Sequence, residues 1–180
     1  YPVPFHWAGY ELNGRITYQL DLSAGEEAVL AGMASNTRYD LRKSEEWEAI
    51  IAERTDISDL LVLARENAVA GKPLMPEKAL EMLEKGWEYL KTQGNIWHFS
   101  ARNEHGKPLA SSLFVEFENR MVYLAGAQSP DEKIIGLMTR LVWKGISKGF
   151  EKCQIFDFEG SMIQGVEGFF RGFGARPVPL

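Results

Sequence analysis

The segment IFDFEGSM, residues 155–162, places two carboxylates, Asp157 and Glu159, at the end of an apolar run. Side chains two positions apart on a strand point to the same face, so we expect these carboxylates to lie close together. The proximity of like charges raises the pKa of one partner, which makes the pair a candidate proton acceptor. A structural interpretation stands beside it, in which they cap the next helix or pair with Arg171.

A cationic segment lies earlier in the chain, in NTRYDLRKSEEW, residues 36–47. Arg38, Arg42 and Lys43 fall within one or two helical turns and precede a group of glutamates. One interpretation is a solvent-exposed helix face with mixed ion pairs. The other is a cationic binding site for a charged ligand that carries phosphate.

Composition narrows the classes of protein to consider. The 180 residues are 45% hydrophobic and 25% charged, which is typical of a globular domain. A net charge of -5 argues against a general nucleic-acid surface, so DNA is not expected as a partner. Cys153 is the only cysteine and is expected to be a small buried residue, and no histidine has a partner at metal-ligand spacing. We therefore expect neither a disulfide nor a metal.

The sequence also lacks the signals of a membrane or secreted protein. No apolar stretch approaches the roughly 20 residues that a membrane helix needs, and no signal peptide opens the chain. We therefore expect a soluble, cytoplasmic protein without an integral membrane segment. The chain begins at Tyr1, which suggests a processed protein or a part of a longer one.

Strand and helix patterns alternate along the chain and must position these residues. Residues 1–14 contain prolines, glycines and aromatics, which favours an irregular arm. Two capping boxes, Ser23 with Glu26 and Ser161 with Gln164, each predict a helix start. We predict strands at 16–22, 48–55, 95–102, 108–117, 120–127 and 154–160, a partial strand after Gly174, and helices in between. This order predicts an α/β fold of the α+β kind around one sheet.

From residue 48 onward this order resembles the GNAT N-acyltransferase fold, and in particular the branch related to the bacterial Fem aminoacyltransferases. Three segments carry the resemblance: TRYDLRKSEE at 37–46, IFDFEGSM at 155–162 and FFRGFGARPVP at 169–179. It implies a single mixed, mostly antiparallel sheet with helices on both faces. It also implies a domain at 48–180, preceded by an arm, a strand and a basic helix at 1–47 that pack on it.

The resemblance implies a donor site where the fourth and fifth strands run parallel and splay apart. The backbone of Leu124 and Ala125 on the fourth strand would border the acyl arm of a donor such as acetyl-CoA. The next helix would hold donor phosphate at its N-terminus. There Gly136 matches the family loop, Lys133 is a tolerable cation in place of the usual Gln or Arg, and Met138 departs from the usual Gly or Ala.

A second departure concerns the acid that protonates the leaving thiolate. Phe170 stands where CoA-dependent members commonly have a tyrosine, and Tyr123 is either a substitute or a core tyrosine. These departures weigh against acetyl-CoA and leave open an aminoacyl-tRNA donor, as used by the Fem branch, whereas the negative net charge weighs against tRNA.

The implied activity is transfer of an acyl or aminoacyl group to a primary amine of a small molecule or a cell-wall precursor. Asp157 and Glu159 would deprotonate the amine, and Arg38, Arg42 and Lys43 would attract a charged substrate. The alternative is a non-catalytic binding module, because Fem enzymes carry two GNAT-like units and this chain has room for one. An upstream GNAT-like unit would then be missing. A third possibility is a partner-binding domain with an exposed apolar arm at 5–10.

Overall fold

The computed structural model describes residues 3–11, 15–132, 134–160 and 164–179. Within these ranges, seven strands form one sheet: β1 (Ile16–Asp21), β2 (Ile50–Glu53), β3 (Ile96–Arg102), β4 (Pro108–Phe117), β5 (Arg120–Gln128), β6 (Ile155–Asp157) and β7 (Arg176–Pro179). The helices are α1 (Val3–Trp7), α2 (Glu26–Gly32), α3 (Ser35–Ser44), α4 (Ser58–Val69), α5 (Glu77–Thr92), α6 (Leu137–Gly149) and α7 (Gln164–Gly172).

The strand order is β2-β3-β4-β5-β6-β1-β7. Neighbouring strands are antiparallel except for β5 and β6, which run parallel. β1 therefore lies between β6 and β7 and is part of the sheet itself, although it comes from the segment that precedes residue 48. The prediction of a single mixed, mostly antiparallel sheet is confirmed.

Helices cover both faces of this sheet because each face of the strands β3 to β5 is apolar. On one face α6 buries Leu141 and Val142 in a core cluster that also contains Phe114 of β4. On the other face α4 and α5 pack over Leu113, the neighbour of Phe114 along the strand, with side chains such as Trp87. Because successive side chains of β4 point to opposite faces of the sheet, this strand contributes apolar side chains to both cores.

Three local predictions differ from the structure. α2 is capped by Gly25 rather than by Ser23, because Ser23 donates its backbone N–H and its hydroxyl to the carboxylate of Asp21 at 2.8 and 2.6 Å. β6 ends at Asp157, before the predicted end at residue 160. The second capping box cannot be compared, since Ser161 lies outside the described residues.

The N-terminal arm is also more regular than predicted. Residues Val3–Trp7 form a short helix, with Pro4 in its first turn, and Gly9 follows with φ 85°. Its described aromatic residues, Phe5, Trp7 and Tyr10, are exposed, which agrees with an apolar surface at this end. Across the described ranges, no helix combines the length and apolar character that a membrane span requires.

Candidate functional site

The candidate site begins where β5 and β6 part. The two strands are paired in parallel over three positions, of which Val122 opposite Asp157 is the last. Beyond it the chain after β6 turns to β1, where the N–H of Phe158 donates to the carbonyl of Tyr18 at 2.9 Å. β5 continues to Gln128 and pairs there with β4 alone. The divergence that the resemblance implied is therefore present, and it leaves one edge of β5 without a neighbouring strand.

A bulge in β5 accompanies this separation. The register of β4 and β5 shifts between Leu113 and Phe114, so that Leu124 is an extra residue between the paired positions of Tyr123 and Ala125. Bulges bend a strand and increase its twist, which helps β5 to diverge from β6. Backbone groups near Leu124 consequently border the gap.

A cavity of about 740 Å³ occupies the gap and extends to α6 and α7; we call it the β5 cavity. Tyr123, Leu124, Ala125, Gly136 and Glu159, five of the residues selected from the sequence, line it. Most other lining side chains are apolar, including Ile134, Met138, Val166, Phe169 and Phe170. The charged residues among the described lining are Asp40 and Glu159, both acidic.

The N-terminus of α6 faces the β5 cavity. Gly136 is its N-cap with φ 77°, and a Cβ at this position would lie 2.0 Å from the carbonyl oxygen of Asp40. The backbone therefore needs glycine here, both for its conformation and for its contact with α3. Within the part of the chain that the structure describes, the amides of Met138 and Thr139 donate no hydrogen bond. Free amides at the positive end of a helix suit an anion.

Lys133, which the sequence selected for the same phosphate site, lies outside the described residues. The position of Gly136 alone therefore links the predicted donor-phosphate loop to the β5 cavity.

A second cavity, of about 530 Å³, lies on the opposite face of the sheet; we call it the β1 cavity. Its lining includes Arg15, Thr17, Val122 and Asp157. Val122 and Asp157 alternate along their strands with Met121 and Phe156, which are buried in the core under α6. The two cavities are therefore on different sides of the sheet. They share Glu159 and Gly160, which line both.

Asp157 is held by four hydrogen bonds to its carboxylate. The hydroxyl of Thr17 and the side-chain amide of Gln19, at 2.8 Å, donate to it from β1. The guanidinium of Arg120 lies 3.4 Å away, and the backbone N–H of Glu159 donates at 2.8 Å. Asp157 is only 7% exposed. Because its acceptor positions are occupied by protein donors, Asp157 is suited to hold β1, β6 and the backbone of Glu159 in place.

Glu159 has the opposite character. Its φ of 57° is in the left-handed region, which is strained for a residue with a side chain. The hydrogen bond from its N–H to Asp157 and one from the N–H of Tyr18 to its carbonyl, at 3.3 Å, hold this conformation. No described residue donates a hydrogen bond to its carboxylate. Glu159 is exposed, yet its partial desolvation beside the two cavities, and then the charge of Asp157, raise the pKa of Glu159, which makes it a candidate proton acceptor.

Tyr123 packs between aromatic rings, with centroid distances of 5.5 Å to Phe114 and 6.2 Å to Phe170. Burial raises the pKa of Tyr123 to about 12. Its hydroxyl lies 3.7 Å from the sulfur of Met138, which also accepts a hydrogen bond from Ser112 at 3.2 Å. The methionine that departs from the family loop thus has a local function, since it is an acceptor for two hydroxyls.

The Tyr123 hydroxyl also explains a glycine on the same strand. A Cβ on Gly126 would lie 1.9 Å from this hydroxyl oxygen. Glycine at 126 therefore lets the ring fold back along β5 and fill the space next to Phe170.

The predicted cationic residues are not brought to either cavity. Arg38 donates to the carbonyls of Ala31, at 3.0 Å, and Met33, and so caps the C-terminus of α2. Lys43 pairs with Glu46, as the interpretation of a solvated helix face predicted, and Arg42 is exposed. Their proposed role in substrate binding stays a prediction.

Four residues near Asp157 were not selected from the sequence: Arg15, Thr17, Gln19 and Arg120. A signal was present, because Arg15, Thr17 and Gln19 alternate with Ile16, Tyr18 and Leu20 and thus define a polar face of β1. The pairing of β1 with β6, which brings this face to Asp157, is not visible in the periodicity. In the described ranges, no group of three or more His, Cys, Asp or Glu side chains could hold a metal ion.

No protein-family description matches this sequence, and no curated protein matches it. Solved structures do resemble it. FemX superposes with a TM-score of 0.78 at 12% identity over 91% of this chain and 59% of FemX. The C-terminal domain of a protein described as a lysylphosphatidylglycerol synthetase, from Agrobacterium fabrum, gives a TM-score of 0.64 at 14% identity over 97% of this chain and 61% of that chain.

A tandem GNAT protein from the clavulanic acid biosynthesis pathway has a TM-score of 0.65 at 11% identity, over 99% of this chain and 56% of that protein. The chain thus spans about three fifths of the length of these structures. At such identities the likeness concerns the fold. The chain has the GNAT fold that it shares with FemX and the tandem GNAT protein.

Proposed function

We propose that this protein transfers an acyl or aminoacyl group from an activated carrier to a primary amine. One observation carries the proposal: Glu159, a carboxylate with a raised pKa, lines both the β5 cavity and the β1 cavity. A donor bound on one side of the sheet and an amine bound on the other would meet at this residue. The FemX and GNAT structures support an acyl-transfer reaction, since they have the same fold.

The β5 cavity would bind the donor. The unpaired edge of β5 beside Leu124 and Ala125 offers backbone groups to the arm that carries the carbonyl, and the amides at the start of α6 offer a site for phosphate. Both an acyl-CoA and an aminoacyl-tRNA have such phosphates. No metal takes part in this proposal.

The reaction would proceed by direct attack. The amine loses a proton to Glu159, directly or through one water, and its nitrogen attacks the donor carbonyl. A carbon–nitrogen bond forms, the bond from the carbonyl carbon to the carrier sulfur or oxygen breaks, and the carrier leaves with the electron pair. Backbone amides at the edge of β5 would stabilise the negative charge on the carbonyl oxygen. The carrier then takes up a proton, and Glu159 gives up the proton that it accepted from the amine. The protein thereby returns to its starting state.

A second candidate is a non-catalytic module that binds a carrier. Phe170 favours it, because this buried side chain packs on Phe158 at 4.8 Å and has no proton to donate. The chain also spans only part of its structural relatives, so that a further GNAT-like unit remains part of this alternative.

Exchange of Glu159 for glutamine tests the enzymatic proposal. Turnover of a carrier and amine pair should fall by about 10²-fold or more in Glu159→Gln, because general-base catalysis contributes at least this much. Glu118→Gln is a matched control, since Glu118 also has a positive φ, of 46°, and lies in the turn between β4 and β5. Release of free carrier measures both variants. Equal turnover in the two variants would remove Glu159 from the mechanism.

A further inference from the structure

We propose that the β1 cavity binds an acceptor that is a zwitterion: a primary amine that also bears a carboxylate, as in an amino acid or the end of a peptide. This inference rests on the proposed function, because it assigns the amine to the β1 cavity. It adds the chemical class of the acceptor and the residues that would recognise its acidic group.

The lining of the β1 cavity carries both signs of charge. Asp157 and Glu159 supply carboxylates, and Arg15 supplies a guanidinium. The β5 cavity differs, since its described charged residues are acidic only. A simple amine would need only the carboxylates, whereas a ligand with a cationic and an anionic end would match the whole lining.

The backbone brings these opposite charges close together. A Cβ on Gly160 would lie 2.3 Å from the carbonyl oxygen of Ile16. This close approach sets the segment of Glu159 and Gly160 directly against the start of β1, where Arg15 precedes Ile16. An acceptor whose amine lies at Glu159 therefore has Arg15 within the same small space.

Arg120 provides a second guanidinium at the edge of the site. It reaches Asp157 through one nitrogen at 3.4 Å, and its side chain is 42% exposed. A guanidinium has five N–H donors, so most of those on Arg120 remain available to a ligand. Arg15 is exposed and has no ion-pair partner among the residues that the structure describes. Arginine recognises carboxylates well because its planar fork matches their two oxygens.

The size and the apolar part of the cavity fit such a ligand. Its volume of about 530 Å³ is within the range of small-molecule sites. Ile16 and Val122 also line it and give a short hydrocarbon segment an apolar contact. The site thus suits an amine and a carboxylate that are separated by a few carbon atoms.

Matched acceptors test the inference with the full chain and one donor. We would compare lysine with cadaverine, and β-alanine with β-alaninamide, as pairs that differ in the carboxylate. The expected kcat/KM is about tenfold or more higher for the acid in each pair, since a hydrogen bond to a charged group is worth about this factor. Phosphoethanolamine, a primary amine that carries a phosphate in place of the carboxylate, is tested as a further acceptor. A preference for it over both acids would overturn the assignment of a carboxylate.

Arginine variants test which residues recognise the carboxylate of the acceptor. Arg15→Ala should raise the KM for the acids about tenfold, with little change in kcat and little change for the partners without a carboxylate. Arg120→Ala should also raise the KM for the acids, but it releases Asp157 and should lower kcat for all acceptors. Arg65→Ala is the control, because Arg65 pairs with Glu77 and Glu84 on the surface of α4 and α5. An equal loss in Arg15→Ala for the acids and for the amines without a carboxylate would refute the role of Arg15. Because Arg15 is exposed, this variant should fold even if Arg120→Ala does not.

A binding measurement separates this inference from the proposed function. If no amine is acylated, the transferase proposal fails, but calorimetry can still compare lysine with cadaverine. Tighter binding of lysine, lost in Arg15→Ala, would support the zwitterion site without catalysis. Equal binding of the two ligands would overturn it.

Discussion

Asp59 and Asp157 are both buried aspartates that pair with an arginine and a hydroxyl group, one beside β3 and the other on β6. Asp59 on α4 accepts two hydrogen bonds from Arg102, both at 2.8 Å, and one from Ser100. Burial alone would raise the pKa of Asp59, but the hydrogen bonds from Arg102 and Ser100 lower it below its usual value. Asp59 is therefore fixed as a carboxylate by its neighbours.

The surroundings of Asp59 are closed. His98 lies in the same polar cluster, where its ring nitrogens contact the carbonyl of Asp56 at 2.5 Å and the hydroxyl of Ser111 at 2.6 Å. Burial lowers the pKa of His98, so this ring stays neutral near pH 7. The structural interpretation that the sequence favoured for this histidine agrees with these contacts. Asp59 lines neither the β5 nor the β1 cavity.

The cluster around Asp157 differs in two respects. It borders a cavity, and it includes a second carboxylate, on Glu159, that no described residue neutralises. A closed cluster of this kind stabilises the fold, whereas an open cluster keeps a group with a raised pKa available to a ligand. The carboxylate without a partner, on Glu159, therefore distinguishes the candidate site from the closed cluster more than the buried aspartate does.

The largest effect should appear in the stability of the closed cluster. Asp59→Asn should reduce the free energy of unfolding by about 2 kcal/mol, because Asp59 is buried and Arg102, whose side chain is 32% exposed, loses a charged partner for two hydrogen bonds. Asp157→Asn should cost about 1 kcal/mol, since Arg120 can turn to solvent. Urea denaturation followed by fluorescence measures both. An equal cost for the two variants would contradict the distinction between a closed and an open cluster.

The next prediction concerns the pH dependence of the rate. Glu159 must be ionised to accept a proton, and its pKa is raised by burial and by Asp157. Activity should therefore be lost, as the pH falls, at a higher pH than for an ordinary glutamate. Asp157→Asn removes the neighbouring charge and should shift this acidic limb to lower pH, while burial keeps part of the elevation.

The control for this shift comes from the other cluster. Asp59→Asn, studied at a temperature where it remains folded, should leave the acidic limb of kcat/KM in place. An identical displacement in both variants would show that the limb reports the stability of the protein rather than the ionisation of Glu159.

The sequence was sufficient for those features that local patterns determine. The order of elements from β2 onward follows from apolar periodicity and turn residues, and the carboxylates at the end of β6 were visible in IFDFEG. The features that were missed depend on contacts between distant segments. Arg38 caps α2, and Thr17 and Gln19 meet Asp157 only because β1 pairs with β6. The alternation of side chains along a strand, from which we predicted Asp157 and Glu159 on one face, also ends at Glu159, because the φ of this residue is positive.

The smallest effect is expected for Tyr123→Phe with a thioester donor, and this variant distinguishes the two kinds of donor. With a pKa of about 12, Tyr123 is a poor proton donor to a thiolate, since thiols have a pKa of about 8.5. Loss of its hydroxyl should thus lower kcat with a thioester donor by less than about threefold. An alkoxide leaving group is a far stronger base, so an ester donor such as an aminoacyl-tRNA should lose about tenfold or more if Tyr123 protonates it. Tyr89→Phe, at an exposed position on α5, is the control. A large loss with the thioester would mean that Tyr123 acts as the acid in place of Phe170, and that its buried hydroxyl has a lower pKa in the complex with the donor.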